Sequence, residues 1–150
     1  MARGRSDRSS SASTLRLRRS ATPVAATELR HALRDWTDSL DVSADHRDAI
    51  ELACYEALAN VACHAYAGRS AGVMALDATY GHTPPGAPRM TVTVSDHGRW
   101  RSPTVRPGPS RGRGLRMIRS LSSATDITES DTGTTVRMSW DLSPASAMAG

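Results

Sequence analysis

Residues 51–66 read ELACYEALANVACHAY and combine two patterns on one predicted helix. The apolar residues recur at the three- and four-residue spacing of a helix that packs against a core. Glu56, Asn60 and His64 recur every four residues, which places them in a row along one margin of the apolar face. Such a polar row can line a cleft, or it can be a set of solvated residues beside the core. Spacing alone leaves both interpretations open.

The length and composition of the chain indicate one domain with an aliphatic core. A chain of 150 residues can bury a substantial apolar core. Only 4% of the residues are aromatic and none is Phe, so the core must consist mainly of Ala, Leu, Val, Ile and Met. No apolar run reaches the roughly 18 residues of a membrane span, and the N-terminus has no apolar stretch typical of a secretory signal. We therefore expect a cytoplasmic protein that makes no contact with a membrane.

The net charge of +4 is distributed unevenly. Residues 1–19 carry +5 and residues 97–119 carry +7, whereas the rest of the chain is acidic. A cationic tail can bind nucleic acid through phosphate contacts, but the acidic body and the lack of an aromatic platform favour a solvated tail instead. All 19 cations are Arg. The absence of Lys excludes a P-loop lysine and a Schiff base, because both need an amine.

The order of predicted elements indicates an α+β fold. We expect a Ser/Arg-rich disordered tail over residues 1–13, an ordered domain over 14–142 and a loose tail over 143–150. Inside the domain the patterns predict strands and helices in the order strand 14–20, helix 24–40, helix 44–67, strands 73–80 and 89–96, a helix from Gly114, and strands 124–129 and 134–142. This order favours a two-layer sandwich with the helices on one face of a mixed, mostly antiparallel sheet.

Cys54 and Cys63 are nine residues apart on one predicted helix, so they point to opposite sides and cannot form a disulfide with each other. The pattern favours two buried thiols that act as small apolar side chains.

A carboxylate lies where the second of the two central strands ends. Met90, Val92 and Val94 share one face of the predicted strand, and the period of two places Asp96 on the same face. A carboxylate that points toward a core must be paired. Gly98 follows closely and would let a ligand approach the backbone.

Two further glycine-containing segments follow in the chain. A long loop rich in Pro and Gly ends in Gly112, Arg113 and Gly114 at the predicted start of a helix, where free backbone N–H groups and the helix dipole favour phosphate. Gly133 opens the last strand and is followed by the hydroxyl of Thr134. Together with Asp96 and the polar row, these features predict a nucleotide-binding pocket.

The four motifs, in this order, resemble those of the GHKL ATPases, the superfamily of gyrase, the histidine kinases and MutL. The polar row resembles the N box, residues 96–98 the first glycine box, residues 112–115 the second, and residues 133–136 the closing motif. Within the superfamily the chain is most similar to the anti-sigma-factor serine kinases of bacteria, including those of the actinomycete type. The resemblance covers residues 15–142 and implies the Bergerat ATP-binding fold for the sandwich.

The resemblance implies a role for each matched residue, with ATP and Mg²⁺ as cofactors. Asp96 would accept a hydrogen bond from the adenine amino group, and Thr134 would reach the adenine edge. Asn60 would hold Mg²⁺ through its side-chain oxygen. Glu56 would be the general base that takes the proton of an incoming serine hydroxyl. The remaining nucleotide-binding residues of the matched motifs are His64, Gly98, Gly112, Arg113, Gly114 and Leu115.

The implied function is that of an ATP-binding anti-sigma factor with serine kinase activity. Such a protein sequesters a sigma factor and phosphorylates an antagonist protein of the STAS type, and a homodimer would follow the habit of the family. The chain departs from the family pattern at Trp100, where the first glycine box usually has a second glycine. This departure favours an alternative function, a binding module that uses ATP as a structural ligand and acts by sequestration.

Overall fold

The computed structural model describes residues 13–66, 70, 72–83, 86–98 and 109–142, and it describes only the backbone of residues 83 and 109–113. The elements are β1 (Ser13–Ser20), α1 (Pro23–Asp38), α2 (Ala44–Asn60), a π-helical turn (Val61–Ala65), β2 (Val73–Thr83), β3 (Ala87–Asp96), α3 (Pro109–Leu121), β4 (Ala124–Ser130) and β5 (Gly133–Asp141). The predicted tails lie outside the described residues, except that Ser13 belongs to β1 rather than to the tail.

The five strands form one sheet in the order β1-β2-β3-β5-β4. Every neighbouring pair in it is antiparallel, so the prediction of a mixed sheet was wrong on this point. The reason is the position of β5. Strands β3 and β4, which α3 connects, run in the same direction, but β5 lies between them and pairs with both. Strand β1 lies at an edge, as predicted.

The three helices form the second layer, and α2 lies in the middle with α1 and α3 on its two sides. The Thr22 side chain caps α1 directly before Pro23, whose fixed φ suits the first helical position. Asp41 and Ser43 were both candidates to cap α2. Ser43 does so, because its hydroxyl accepts the His46 N–H at 3.3 Å. Among the described helices, none has the length and apolar composition needed to cross a bilayer.

The hydrophobic core lies between the two layers and is mainly aliphatic, as predicted from the composition. Alternate residues of the inner sheet face are buried under the helices: Met74, Leu76, Met90, Val92, Val94, Val136, Met138 and Trp140. The helices contribute Leu29, Leu33, Ile50 and Leu58, each at most 1% exposed. Burial of one such side chain contributes about 1.5 to 3 kcal/mol. This core fixes the side of the sheet on which α2 and α3 lie.

The long second helix differs from its prediction at the C-terminal end. The α-helix ends at Asn60, and the chain continues through the π-helical turn to Ala65. A π-helical turn has hydrogen bonds from i to i+5, so it redirects the side chains that follow it, and such turns occur frequently at functional sites. Residues after Asn60 therefore do not continue the α-helical row that the sequence suggested.

The helix predicted to begin at Gly114 begins at Pro109. Proline is favoured in the first turn of a helix because its φ is already helical and its missing N–H is not needed there. Gly112 and Gly114 consequently lie beyond the first turn of α3, where backbone N–H groups are bonded within the helix. The expectation that residues 112–114 present free N–H groups at a helix start was wrong.

The two cysteines have different environments. Cys54 is completely buried in the core, and burial raises the pKa of its thiol far above the ordinary value. Cys63 lies on the π-helical turn and is exposed. Neither thiol forms a disulfide. The expectation of two buried thiols was correct for Cys54 and wrong for Cys63, because Cys63 is exposed.

Candidate functional site

The polar row on α2 faces the second turn of α3. Glu56 and Asn60 are half-buried, and the residue of α3 opposite them is Gly114. A Cβ atom at Gly114 would lie 3.3 Å from Oε2 of Glu56 and 3.6 Å from Nδ2 of Asn60. A methyl group at this position would therefore fill the space between α3 and the polar row. The glycine of the second predicted motif thus lets α3 approach the carboxylate and the amide of the first closely.

The two glutamates of α2 differ in their partners. The Glu51 carboxylate accepts a hydrogen bond from Nε of Arg30 at 2.8 Å and lies 3.6 Å from Nη1 of Arg34. Within the described part of the chain, the Glu56 carboxylate has no such ion pair or hydrogen bond. A carboxylate that no arginine holds in an ion pair is free to contact an incoming hydroxyl group. Of these two residues, Glu56 is therefore the candidate base.

A cleft of about 370 Å³ separates α1 and α2 on the other side of Glu56. Its lining includes Arg30, Arg34, Glu51, Tyr55 and Glu56. The Arg30 guanidinium lies over the Tyr55 ring, 5.0 Å from its centroid, so that one wall of the cleft is held in place by a cation–π contact. Glu56 thus borders the cleft on one side and lies against Gly114 of α3 on the other. None of the other site residues whose side chains the structure describes is part of the cleft lining.

The second part of the predicted site lies where β3 ends. Asp96 is only 4% exposed, which confirms that its side chain points toward the core, and its Oδ1 accepts the Gly98 N–H at 2.9 Å. Thr134, 3% exposed, is its pairing partner on β5. Gly133 has a φ of +147°, and a Cβ atom there would collide with the Asp96 carbonyl oxygen. The carboxylate and the hydroxyl are therefore neighbours on the inner face of the sheet.

Gly98 joins this part of the site to the helix layer. A Cβ atom at Gly98 would collide with the carbonyl oxygen of Ala65, so the segment after β3 rests directly on the end of the π-helical turn. The backbone from Asn60 through Ala65 therefore connects the polar row to the segment that follows Asp96. His64 is half-buried on this connection.

The structure arranges the described site residues in two groups. It places Glu56 and Asn60 against Gly114, and it places Asp96 beside Gly98 and Thr134. Leu115 is half-buried and packs against the hydrophobic core. The backbones of Gly112 and Arg113 belong to α3, whereas the Arg113 side chain and Trp100 lie outside the described residues.

Sequence reasoning missed the contribution of Tyr66 and Gly72. The Tyr66 hydroxyl lies 2.9 Å from the His97 backbone nitrogen, and its ring occupies the space that a side chain at position 72 would need. A tyrosine directly after the polar row was visible in the sequence. Its partners were not, because they come from two other segments of the chain.

The residues around Asn60 fit the magnesium ion that the resemblance implies. Within the described residues, no group of three or more His, Cys, Asp or Glu side chains is arranged to hold a metal. A magnesium ion bound with a nucleotide takes most of its oxygen ligands from phosphates and water and only one or two from the protein. The amide oxygen of Asn60, opposite Gly114 on α3, is one such ligand.

Residues 19–140 match the family model of the histidine kinase-like ATPase domain. The chain belongs to this family. The match includes all four motifs, from the polar row to residues 133–136, and it confirms the resemblance drawn from them. Membership of a histidine kinase-like ATPase family implies ATP as the ligand of the site. No curated protein matches the chain.

Three solved structures have a similar fold. The RsbU and RsbW domains of Rv1364c from Mycobacterium tuberculosis align with 87% of this chain at 24% identity and a TM-score of 0.65. A chain of the SiaB–SiaC complex from Pseudomonas aeruginosa aligns with 83% of this chain at 15% identity and a TM-score of 0.55, and the alignment covers 88% of the Pseudomonas chain. The histidine kinase domain of the blue-light activated histidine kinase from Erythrobacter litoralis EL346 aligns with 79% of this chain at 18% identity and a TM-score of 0.51. The alignment covers 60% of the Erythrobacter chain. This chain spans about a third, 32%, of the length of the Mycobacterium chain.

Proposed function

We propose that this histidine kinase-like domain is an ATP-dependent serine kinase that acts as an anti-sigma factor. It would phosphorylate an antagonist protein of the STAS type and sequester a sigma factor, releasing it when the unphosphorylated antagonist competes. The observation that carries the proposal is the position of Glu56, which lies against Gly114 of the second glycine motif and also borders the cleft between α1 and α2. A phosphoryl donor on one side and an acceptor on the other would meet at this carboxylate.

The nucleotide would bind between α2, α3 and the end of β3. Asp96 would accept a hydrogen bond from the adenine amino group, with the hydroxyl of its neighbour Thr134 at the adenine edge. The phosphates would lie beside the polar row, next to the glycine-containing segment of α3. The charge of Arg113 and of other arginines between positions 99 and 119 would stabilise the phosphates.

Asn60 would hold Mg²⁺, which neutralises charge on the phosphates and so assists their transfer. Glu56 would take the proton of the acceptor serine hydroxyl. The serine oxygen then forms a bond to the γ-phosphorus, the bond from that phosphorus to the β,γ-bridging oxygen breaks, and ADP leaves with the electron pair. Glu56 needs to be unpaired for this role, and Glu51, which two arginines hold, could not replace it.

A protein acceptor is supported by the cleft and by the fold neighbours. The cleft lining combines Arg30 and Arg34, which pair with Glu51, with the aromatic ring of Tyr55, and arginine and tyrosine are both enriched at protein interfaces. SiaB was solved in complex with another protein, SiaC, and the Mycobacterium structure combines an RsbW domain with an RsbU domain. A homodimer, by the habit of the family, is also proposed.

The test is a phosphorylation assay with ATP, Mg²⁺ and STAS-type antagonist proteins. The wild type should produce phosphoserine on an antagonist. Glu56→Gln should lower the rate by about 10² to 10⁴-fold, because a general base typically contributes that factor, while ATP affinity stays within about threefold. Glu129→Gln is the matched control, since Glu129 is exposed on β4. Asn60→Ala should remove the part of the ATP affinity that depends on Mg²⁺.

The alternative function, sequestration with ATP as a structural ligand, predicts a different result. It rests on Trp100 in the first glycine box, which lies outside the described residues. In that case the wild type binds ATP and its protein partner tightly but forms no phosphoserine on any antagonist, and Glu56→Gln leaves partner affinity unchanged. Phosphoserine formation that depends on Glu56 would exclude this alternative.

A further inference from the structure

Tyr66 connects three segments of the chain at the end of β3. It follows the π-helical turn directly, and its hydroxyl donates a hydrogen bond to the Val73 carbonyl oxygen at 2.7 Å. The same hydroxyl accepts the His97 backbone N–H at 2.9 Å. Its ring packs on Gly72, where a Cβ atom would collide with the ring carbons. One phenol thus joins the helix layer, the start of β2 and the segment after β3.

The His97 N–H lies one residue after the carboxylate proposed to bind adenine. The next N–H, that of Gly98, donates to Oδ1 of Asp96 at 2.9 Å. The Asp96 side chain is therefore oriented by the backbone that follows it, and Tyr66 fixes that backbone at His97. Gly98 also rests on Ala65, the residue before Tyr66. Both contacts that hold the segment against the helix layer come from the end of the π-helical turn.

We infer that Tyr66 is a positioning residue for base recognition: its hydroxyl holds the His97 backbone so that the Asp96 carboxylate is oriented toward the amino group of the purine. This inference rests on the proposed ATP site. It assigns to Tyr66 an effect on nucleotide selectivity, because orientation of the carboxylate matters for a purine with a 6-amino donor. Inosine triphosphate carries a 6-oxo group and offers no donor to the carboxylate at that position.

The test compares ATP and inosine triphosphate in titration calorimetry with Mg²⁺, using the wild type and Tyr66→Phe. The wild type should bind ATP at least about tenfold more tightly, as expected for a hydrogen bond to a charged acceptor. Tyr66→Phe should weaken ATP binding by about 3- to 10-fold and inosine triphosphate binding by less than about twofold. Selectivity should therefore fall. Tyr80→Phe, the same change on a half-buried tyrosine of β2, should leave both affinities unchanged.

Amide hydrogen exchange provides a second measurement that needs no nucleotide. Tyr66→Phe removes the acceptor of the His97 N–H, so exchange at His97 and Gly98 should become faster while exchange in the core strands stays the same. If Tyr66 only supported the fold, Tyr66→Phe would accelerate exchange over a wider part of the chain. It would also lower the affinities for both nucleotides by the same factor.

Three results would overturn the inference. Equal losses of ATP and inosine triphosphate affinity would show that the hydroxyl supports the fold without orienting Asp96. If Asp96→Asn abolishes selectivity but Tyr66→Phe leaves both affinities unchanged, Tyr66 has no role in base recognition and the assignment of Asp96 still holds. If the wild type binds neither nucleotide, although the exchange at His97 responds as expected, the error lies in the proposed function, and the role of Tyr66 in base recognition falls with it.

Discussion

The two ends of the sandwich are built differently from the same strands. At the Trp140 end, where β3 begins and β5 ends, the buried residues are Met90, Trp140 and Leu142, and the Trp140 indole donates to the Leu121 carbonyl oxygen at 2.6 Å. This bond satisfies a carbonyl of the last turn of α3. Large side chains from the sheet therefore close this end against the helix layer.

At the Asp96 end, where β3 ends and β5 begins, polar groups and glycines take the place of those side chains. Asp96 and Thr134 are buried, and Gly98 and Gly133 allow backbone to contact backbone. A well-packed apolar end leaves no room for a ligand, whereas an end with a few converging polar groups provides one. The difference supports the proposal that the nucleotide binds at the Asp96 end, while the Trp140 end is closed by packed side chains.

Gly133→Ala should have the largest effect on stability. The new methyl group would meet the Asp96 carbonyl oxygen, and the φ of +147° is unfavourable for any residue with a Cβ. We expect the free energy of unfolding to fall by about 2 to 4 kcal/mol in chemical denaturation. Gly86→Ala is the matched control at the other end of β3, because Gly86 has a φ of +123° but no atoms near its Cβ position. Its cost should be about 1 kcal/mol. Equal costs would show that the Asp96 end is not packed through glycine contacts.

Asp96→Asn should have the next largest effect, on ATP affinity. The variant keeps an oxygen that can accept the Gly98 N–H but loses the negative charge that would accept the adenine amino group. A hydrogen bond to a charged group contributes about 1.5 to 3 kcal/mol, so calorimetry should show roughly 10- to 150-fold weaker binding. Asp126→Asn, the same change at an exposed position of β4, should leave the affinity within twofold. A wild-type affinity in Asp96→Asn would contradict the assignment of the base site.

Trp140→Phe should lower stability without affecting the site. The variant leaves the Leu121 carbonyl without its donor and loses part of a buried side chain, so we expect about 1 to 3 kcal/mol less free energy of unfolding. ATP affinity should change by less than about twofold. Trp36→Phe removes a longer bond of 3.2 Å from a partly buried indole to Ser13 and should cost less. A large loss of ATP affinity in Trp140→Phe would show that the two ends are coupled through α3.

The smallest effect is expected from Cys63→Ser, because Cys63 is exposed; the free energy of unfolding should change by less than about 0.5 kcal/mol. Thiol labelling provides the contrast. Burial raises the pKa of the Cys54 thiol, so native protein should label at Cys63 only, and Cys54 should react after denaturant is added. Labelling at Cys54 in native protein up to pH 9 would indicate that the core opens.

Local patterns were sufficient for the elements and for the motifs. The alternation of Met90, Val92 and Val94 predicted a coreward Asp96 correctly, because strand geometry has a fixed period. The spacing of Glu56 and Asn60 predicted a half-buried row for the same kind of reason. The prediction failed at Gly114, where Pro109 had already begun the helix, and after Asn60, where the π-helical turn interrupts the α-helical period.

The sequence by itself determined which residue types line the proposed site and which faces of the strands and of α2 carry them, since these depend on periods of a few residues. The tertiary structure alone decided which residues meet: that Gly114 rather than a helix N-terminus lies against Glu56, that β5 inserts between β3 and β4, and that Tyr66 reaches His97. Contacts of this kind join residues that are distant in the chain. They depend on how whole layers pack, which no local pattern encodes.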